Sequence, residues 1–228
     1  NTDGSITSSV SANTTSGFSI VSYTGTGAVA TVGHSLGVEP SMIIFKNRDT
    51  TNNWNVYHTS LGNGKFIRLN DTGAEANTGR FNNTSPTSSV FSLGVNGATA
   101  VNGNGNSIIA YCFAEKQGFS KMGSYVGNGS TDGTFIYTGF KPAFLLLKRT
   151  NSASQWRMYD NKRDTDNVVN HLLYPNGGDA EAFPSTACDF LSNGIKVRDS
   201  AGDINASGGS YIYMAFAENP LVGTNNVP

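Results

Sequence analysis

A sequence pattern occurs twice along this chain of 228 residues. Residues 22–27, SYTGTG, return as residues 124–129, SYVGNG, a shift of 102 positions. The same shift relates five further pairs of identical residues: Gly37 and Gly139, Pro40 and Pro142, Lys46 and Lys148, Trp54 and Trp156, Tyr57 and Tyr159. Residues 102–115 match residues 205–218 at a shift of 103. A spacing that changes by a single residue over so long a stretch predicts that one structural unit is encoded twice.

The repeat predicts two domains with short flanking segments. Unit 1 is expected at residues 17–117 and unit 2 at residues 118–220. Residues 1–16 are rich in Ser, Thr and Asn, which indicates a lead-in strand or a linker from a preceding domain. Residues 221–228 are expected to form a frayed tail. Because the chain starts at Asn1 with no signal segment, we interpret it as a fragment of a longer protein.

Short apolar segments bounded by turn residues predict an all-β fold of two tandem, internally duplicated β-sandwich units with short connecting loops. Residues 41–46 (SMIIFK) and 143–148 (AFLLLK) each follow a Gly-x-x-Pro element and are apolar enough to be central strands. The next strands are expected at residues 54–58 and 156–160, which alternate more. Further strands are predicted at residues 91–93, 108–114, 195–198 and 211–217. A helical turn is plausible only within residues 161–173.

Charge and hydropathy exclude several classes of function. The chain has 15 Lys and Arg against 16 Asp and Glu, a formal net charge of −1. Without excess positive charge, binding to nucleic acid or to an anionic membrane is not expected. The longest apolar run, residues 143–147, is far shorter than the roughly 20 residues that span a bilayer, so no membrane insertion is expected. Cys112 and Cys188 cannot form a disulfide framework or a four-ligand zinc site.

Residues capable of catalysis or of metal binding do not form a recognised motif. The three histidines are far apart in the sequence, and neither a nucleophile elbow nor a phosphate-binding loop occurs. The acidic residues of unit 2 could pair as in glycosidases, and residues 160–167 contain enough oxygen ligands for calcium. However, they lie in loop-like segments, and Lys162 and Arg163 oppose a cation. We therefore expect no metal, no cofactor and no enzymatic activity.

The two copies also indicate where a binding site should lie. Positions that are identical in both units are what the fold requires, so Trp54, Tyr57, Trp156 and Tyr159 are expected to pack in the interior rather than to bind sugar. Function is expected in loops that differ: residues 47–53 against 150–155, residues 58–62 against 160–164, and the excursion at 174–183. The candidate ligand-binding residues are Asp160, Asn161, Lys162, Arg163, Asp164, Asp166, Tyr174 and Asn176.

Seven segments of the sequence together resemble a known family of virion proteins. They are GFSIVSYTGTGAVATVGHSLGVEPSMIIFKNRDTTNNWNVYH, SSVFSLG, IIAYCFAE, GFSKMGSYVGNGSTDGTFIYTGFKP, LLLKRT, DFLSNGIKVRD and INASGGSYIYMAFAENP. They are similar to the C-terminal tandem repeats of large tail-fibre and structural proteins of marine tailed bacteriophages, of the cyanophage and pelagiphage type. The resemblance covers residues 17–220 and implies a virion protein of the phage tail, outside the cell, with no catalytic residue.

The resemblance leaves three functions open. The first is a tail-fibre adhesin for host attachment, whose receptor is a host cell-surface glycan or an outer-membrane component. It implies other virion tail subunits as partners and a homotrimer as the assembly. The second is a purely structural spacer or decoration repeat. The third is a polysaccharide depolymerase, for which Asp164 and Glu181 are the candidate carboxylates.

Overall fold

The computed structural model of the chain describes residues 1–95, 98–184 and 186–219. These residues are almost entirely β-strands and turns, which confirms the predicted all-β, sandwich-type fold class. The chain divides into two compact units. Unit 1 contains Asn1–Leu69 and Glu75–Glu115, and unit 2 contains Asn70–Ala74 and the chain from Lys116 onward. The predicted tail at residues 221–228 and the predicted last residue of unit 2, residue 220, lie outside the described residues.

Unit 1 consists of a seven-stranded and a two-stranded antiparallel sheet. The large sheet has the strand order β1-β2-β9-β4-β5-β6-β7, and the small sheet pairs β3 with β8. The strands are β1 (Ser8–Asn13), β2 (Phe18–Thr24), β3 (Ala30–Gly33), β4 (Met42–Asn47), β5 (Asn55–His58), β6 (Lys65–Arg68), β7 (Ala76–Asn77), β8 (Val90–Leu93) and β9 (Ser107–Phe113). A 3-10 turn at Thr59–Leu61 and a short helix, α1 (Ala98–Asn102), complete the unit.

The first residues of the chain are part of unit 1. Strand β1 pairs with β2 over its whole length, from Ser8 opposite Tyr23 to Asn13 opposite Phe18. Ahead of β1, the Ile6 amide donates a hydrogen bond to the Thr31 carbonyl at 3.0 Å, so this segment also follows the free edge of β3. The stretch expected as a lead-in strand or linker therefore contributes a strand to the sheet of unit 1.

Unit 2 consists of a four-stranded and a three-stranded antiparallel sheet. The larger has the order β10-β16-β12-β13 and the smaller the order β11-β15-β14. The strands are β10 (Ser120–Val126), β11 (Phe135–Tyr137), β12 (Pro142–Arg149), β13 (Trp156–Asp160), β14 (Cys188–Leu191), β15 (Gly194–Val197) and β16 (Ser210–Ala217). Within residues 161–173 the structure has no helix but a single turn, in which the Asp164 amide donates to the Asp160 carbonyl at 3.4 Å, and α1 lies elsewhere.

The larger sheets of the two units share one strand order. The order β10-β16-β12-β13 repeats the order β2-β9-β4-β5, and β4 and β12 are central strands, as their apolar sequences predict. In each unit the core lies between the larger and the smaller sheet, with buried clusters that include Phe45 and Phe91 in unit 1 and Leu145 and Ile195 in unit 2. That both units derive from one duplicated sequence stays a prediction.

Residues of the repeated pattern make the same hydrogen bonds in both units. The Tyr23 hydroxyl donates to the Val101 carbonyl at 2.6 Å, and the Tyr125 hydroxyl donates to the Ile204 carbonyl at 2.7 Å. The next residue in each case, Asn102 or Asn205, accepts a backbone amide of the glycine-rich turn with its side-chain oxygen, at 2.9 and 3.0 Å. The repeated Tyr, Gly and Asn positions therefore close the same turn in each unit.

The repeated aromatic residues are largely interior, as predicted. Tyr57, Trp156 and Tyr159 are almost fully buried. Trp54 is half-buried and stacks on Tyr111 with 6.3 Å between the ring centroids. Three of the four residues thus pack inside their unit, and the fourth is partly exposed.

Candidate functional site

A cavity of about 150 Å³ lies beside the loop that follows β13 in unit 2. Its polar lining residues are Lys141, Asn161, Asp164, Thr165, Asp166 and Asn167. Val169 and Phe190 supply an apolar part of the wall. We call this space the loop cavity. It has room for about five water molecules, so it fits a small polar group or one ring of a larger ligand.

Asn161 lines the loop cavity and is anchored by hydrogen bonds of its backbone and side chain. Its backbone amide donates to the Ala143 carbonyl at 2.9 Å, which continues the pairing of β13 with β12. Its side-chain nitrogen donates to Glu218 Oε1 at 2.8 Å, and Glu218 Oε2 forms an ion pair with Lys141 at 2.8 Å. The hydrogen bond from Lys141 holds the pKa of Glu218 below its usual value. Asn161 Oδ1 is buried and accepts no hydrogen bond from any part of the chain that the structure describes.

Asp164 organises the loop that borders the cavity. Its Oδ2 accepts the backbone amides of Asn170 and His171 at 2.8 and 2.7 Å. Its Oδ1 is bonded to Nδ1 of His171, whose ring packs edge-on against Phe183 at 4.5 Å between centroids. A carboxylate with three protein partners is chiefly a structural group. Asp164 therefore fixes the cavity wall, while exposed Asp166 beside it is freer to bind a ligand.

Asp160 and Arg163 form an ion-pair cluster with Glu181. Arg163 Nε lies 2.6 Å from Asp160 Oδ2, and Arg163 Nη1 lies 2.9 Å from Glu181 Oε1. Partial burial alone would raise the pKa of Asp160, but hydrogen bonds from the Arg163 side chain and from the Arg163 and Lys162 amides hold it below its usual value. The cluster ties the loop after β13 to the excursion at residues 174–183. Neither Asp160 nor Arg163 lines the loop cavity, and Lys162 is exposed away from its lining.

Tyr174 and Asn176 lie at the other end of β13. Asn176 Oδ1 accepts the Trp156 amide at 2.7 Å, and its nitrogen is bonded to Gln155. Tyr174 is half-buried and packs against the core of unit 2. These two residues hold the excursion in place and do not reach the loop cavity.

The structure thus brings together three of the predicted ligand-binding residues: Asn161, Asp164 and Asp166. Thr165 and Asn167 fall inside the predicted segment 160–167 and could have been named with them. Lys141 and Phe190 are contributed by distant parts of the sequence, and only the pairing of the strands brings them to the cavity. No local signal in the sequence marks them.

Two further features bear on the chemistry of this region. Among the described residues, no group of three or more His, Cys, Asp or Glu side chains could hold a metal ion. Asp164 and Glu181, the carboxylates considered for a depolymerase, are each bonded to a basic side chain, His171 and Arg163 respectively.

None of the helices in the described ranges has the length and apolar character needed to cross a bilayer.

A comparison with protein-family models identifies the family of the chain. The model described as a domain of unknown function, DUF7483, matches residues 1–220. The chain belongs to the DUF7483 family. The matched DUF7483 region includes β1 and both units, so the residues ahead of the first repeat are inside it. No curated protein and no solved structure matches the chain.

Proposed function

We propose that this DUF7483 chain is a glycan-binding module of a bacteriophage tail fibre, displayed on the virion for attachment to the host. The observation that carries the proposal is the polar lining of the loop cavity. The exposed carboxylate of Asp166 lies there with Asn161, Thr165 and Asn167, which together offer acceptors and donors for the hydroxyl groups of a ligand.

The charge state of the cavity disfavours an anionic ligand and is compatible with a neutral, hydroxyl-rich one. Lys141 is paired with Glu218, and Asp164 is bonded to His171. Asp166 remains as the exposed carboxylate. Sugar hydroxyls donate to carboxylate and amide oxygens without requiring an opposite charge, whereas a strongly anionic group would be repelled by Asp166.

The setting on a virion is supported by the resemblance of the sequence to tail proteins of marine phages. The net charge of −1 gives little electrostatic steering in salt water, where charges are screened within a few ångströms. Useful affinity would then come from shape, hydrogen bonds and several copies acting together. A homotrimer within the tail supplies such copies.

The proposal is tested by a glycan array probed with the multimerised chain and with two single-residue variants. Asp166→Ala removes an exposed acceptor of the cavity, and Asp179→Ala removes an exposed acid of the same unit outside it. We expect glycan binding by the wild type and by Asp179→Ala, and about tenfold weaker binding by Asp166→Ala. Absence of binding to every glycan would refute the adhesin function and favour the spacer. If Asp166→Ala and Asp179→Ala bind glycan equally well, the loop cavity is not part of the binding site.

A further inference from the structure

Strand β11 presents two aromatic side chains to solvent. Phe135 is 43% exposed and Tyr137 is 65% exposed, while Ile136 between them is buried in the core. Alternate residues of a strand point to opposite faces, so both rings lie on the outer face of the three-stranded sheet. Within the described residues, nothing hydrogen-bonds the Tyr137 hydroxyl. We call this pair the aromatic platform.

Strand β15, which pairs with β11, lies beneath the aromatic platform. Cross-strand partners share a face, and Phe135 lies opposite Lys196 while Tyr137 lies opposite Gly194. A Cβ atom added at Gly194 would lie 2.8–2.9 Å from carbons of the Phe135 ring. The Phe135 ring therefore lies over Gly194, where a larger residue would collide with this ring and with the Ile136 carbonyl oxygen.

The outer face of this sheet carries no unpaired charge among its described residues. Lys196 forms an ion pair with Asp132 at 2.7 Å and donates to the Gly133 carbonyl at 2.5 Å. On the next strand, Asp189 is paired with Arg198 at 2.6 Å. A ligand for this face is thus selected by ring contact and neutral hydrogen bonds, because no free charge is present to attract an ion.

The corresponding strand of unit 1 shows that the fold does not require the platform. Strand β3 pairs with β8 as β11 pairs with β15, yet its outward positions hold Thr31 and Gly33. The N-terminal residues cover both: the Ser5 amide donates to Thr31 Oγ1 at 2.9 Å, and a Cβ at Gly33 would collide with the Asn1 side chain. Exposed aromatic rings occur at this place in unit 2 only.

We propose that the aromatic platform of Phe135 and Tyr137 binds the ring faces of a neutral polysaccharide. This inference rests on the proposed glycan-binding function and names its ligand class. The two rings expose together roughly 200 Å², far below the about 800 Å² per partner of a stable protein interface. That area matches one or two sugar rings. The loop cavity is a separate contact, because Phe190 pairs with Ile195 and its side chain faces the core, on the side of the sheet opposite to the platform.

The test is affinity electrophoresis of the full chain through gels that contain one polysaccharide each. The neutral probes are hydroxyethyl cellulose, xylan and galactomannan, and the anionic probe is alginate. We expect at least one neutral gel to retard the wild type and alginate not to. Tyr137→Ala and Phe135→Ala should each weaken that binding about tenfold, whereas Tyr137→Phe, which keeps the ring, should retain most of it. Val29→Ala, at a residue 59% exposed in unit 1, is the matched control.

The outcomes separate this inference from the proposed function. If the wild type binds neutral glycans and both alanine variants bind equally well, the platform is overturned while the adhesin function stands. If alginate is the only polysaccharide that retards the wild type, the ligand is not a neutral polysaccharide and the inference is overturned. If no gel retards the wild type and the glycan array is also negative, both proposals fail. Sedimentation of Tyr137→Ala provides a second readout. If its oligomeric state changes while its glycan binding does not, the face is a protein–protein contact and the proposed glycan platform is overturned.

Discussion

Units 1 and 2 have the same strand order in their larger sheets but differ in how they bury polar groups. At the second residue of the Trp-x-x-Tyr segment, unit 1 has Asn55 and unit 2 has Arg157, and both are buried. Arg157 Nε lies 2.6 Å from Asp203 Oδ2, whereas the position equivalent to Asp203 in unit 1 is Ala100. Unit 2 therefore contains an ion pair at a place where unit 1 has an amide and a methyl group.

The comparison shows which features the shared fold needs and which belong to one unit. The Tyr and Asn side chains that close the glycine-rich turn make equivalent bonds in both units. The buried ion pair, the loop cavity and the aromatic platform are described only for unit 2. We infer that the common network maintains the strand order, and that the residues of unit 2 are free to serve recognition.

The largest effect is expected from breaking the ion pair of unit 2. Arg157→Ala leaves the carboxylate of Asp203 without its partner and removes the bond from Arg157 Nη1 to the Tyr159 hydroxyl, 3.0 Å long. Removing one member of a buried pair costs about 3–5 kcal/mol, and Asp203 is 24% exposed, which favours the lower end. Urea unfolding followed by circular dichroism measures the loss of free energy of unfolding.

The matched control for this variant is Asn55→Ala in unit 1. Asn55 donates to the Asn53 carbonyl at 2.7 Å, and its loss should cost about 1 kcal/mol. If Asn55→Ala destabilises the chain as much as Arg157→Ala does, the two positions are energetically equivalent and the contrast drawn between the units is wrong.

A second effect, on the order of 2 kcal/mol, is expected from the pH dependence of Lys148. This side chain is fully buried and donates to the carbonyls of Ser154 and Thr72, at 2.8 and 3.2 Å, and burial lowers its pKa to about 8. Between pH 8 and the unfolded value of about 10.4, the unfolded state binds more protons than the folded one. The free energy of unfolding should therefore rise with pH across this window.

The measurement is the difference in free energy of unfolding between the wild type and Lys148→Met at pH 7.5, 9 and 10. Other titrating groups cancel in this difference, because they are present in both chains. The difference should move in favour of the wild type as the pH rises. A difference that stays constant would mean that Lys148 keeps its ordinary pKa in the folded chain, and that its burial carries no penalty.

Much of the strand pattern could be predicted from the sequence because central strands are apolar on both faces. Residues 41–46 and 143–148 coincide with β4 and β12 to within one residue at each end. Strand β1 was not assigned to unit 1, since its sequence SSVSAN is polar and its pairing with β2 is made by backbone groups. The helix α1 has five residues, too few to produce a helical period in the sequence.

The candidate site was predictable only in part, for a physical reason that differs from residue to residue. Differences between the two copies indicated the loop after β13, which contains Asn161 and Asp166. The same reasoning selected Asp160 and Arg163, but opposite charges three residues apart bind each other instead of a ligand. Phe135 is exposed because no other segment of the described residues covers the outer face of β11, and the alternation of apolar and polar residues in the sequence does not show whether a strand is covered.

The smallest effect, about 1 kcal/mol in each unit, is expected at the hydroxyls that both units share. Tyr23→Phe and Tyr125→Phe each remove one hydroxyl and leave a buried carbonyl, of Val101 or Ile204, without that donor. Because the bond lengths are 2.6 and 2.7 Å and both rings are buried, the two losses of unfolding free energy should agree within about 0.5 kcal/mol. Differential urea melts of the two variants against the wild type provide the comparison. A loss confined to one unit would show that the repeated tyrosine stabilises only one copy, and the common network would then no longer explain why the pattern occurs twice.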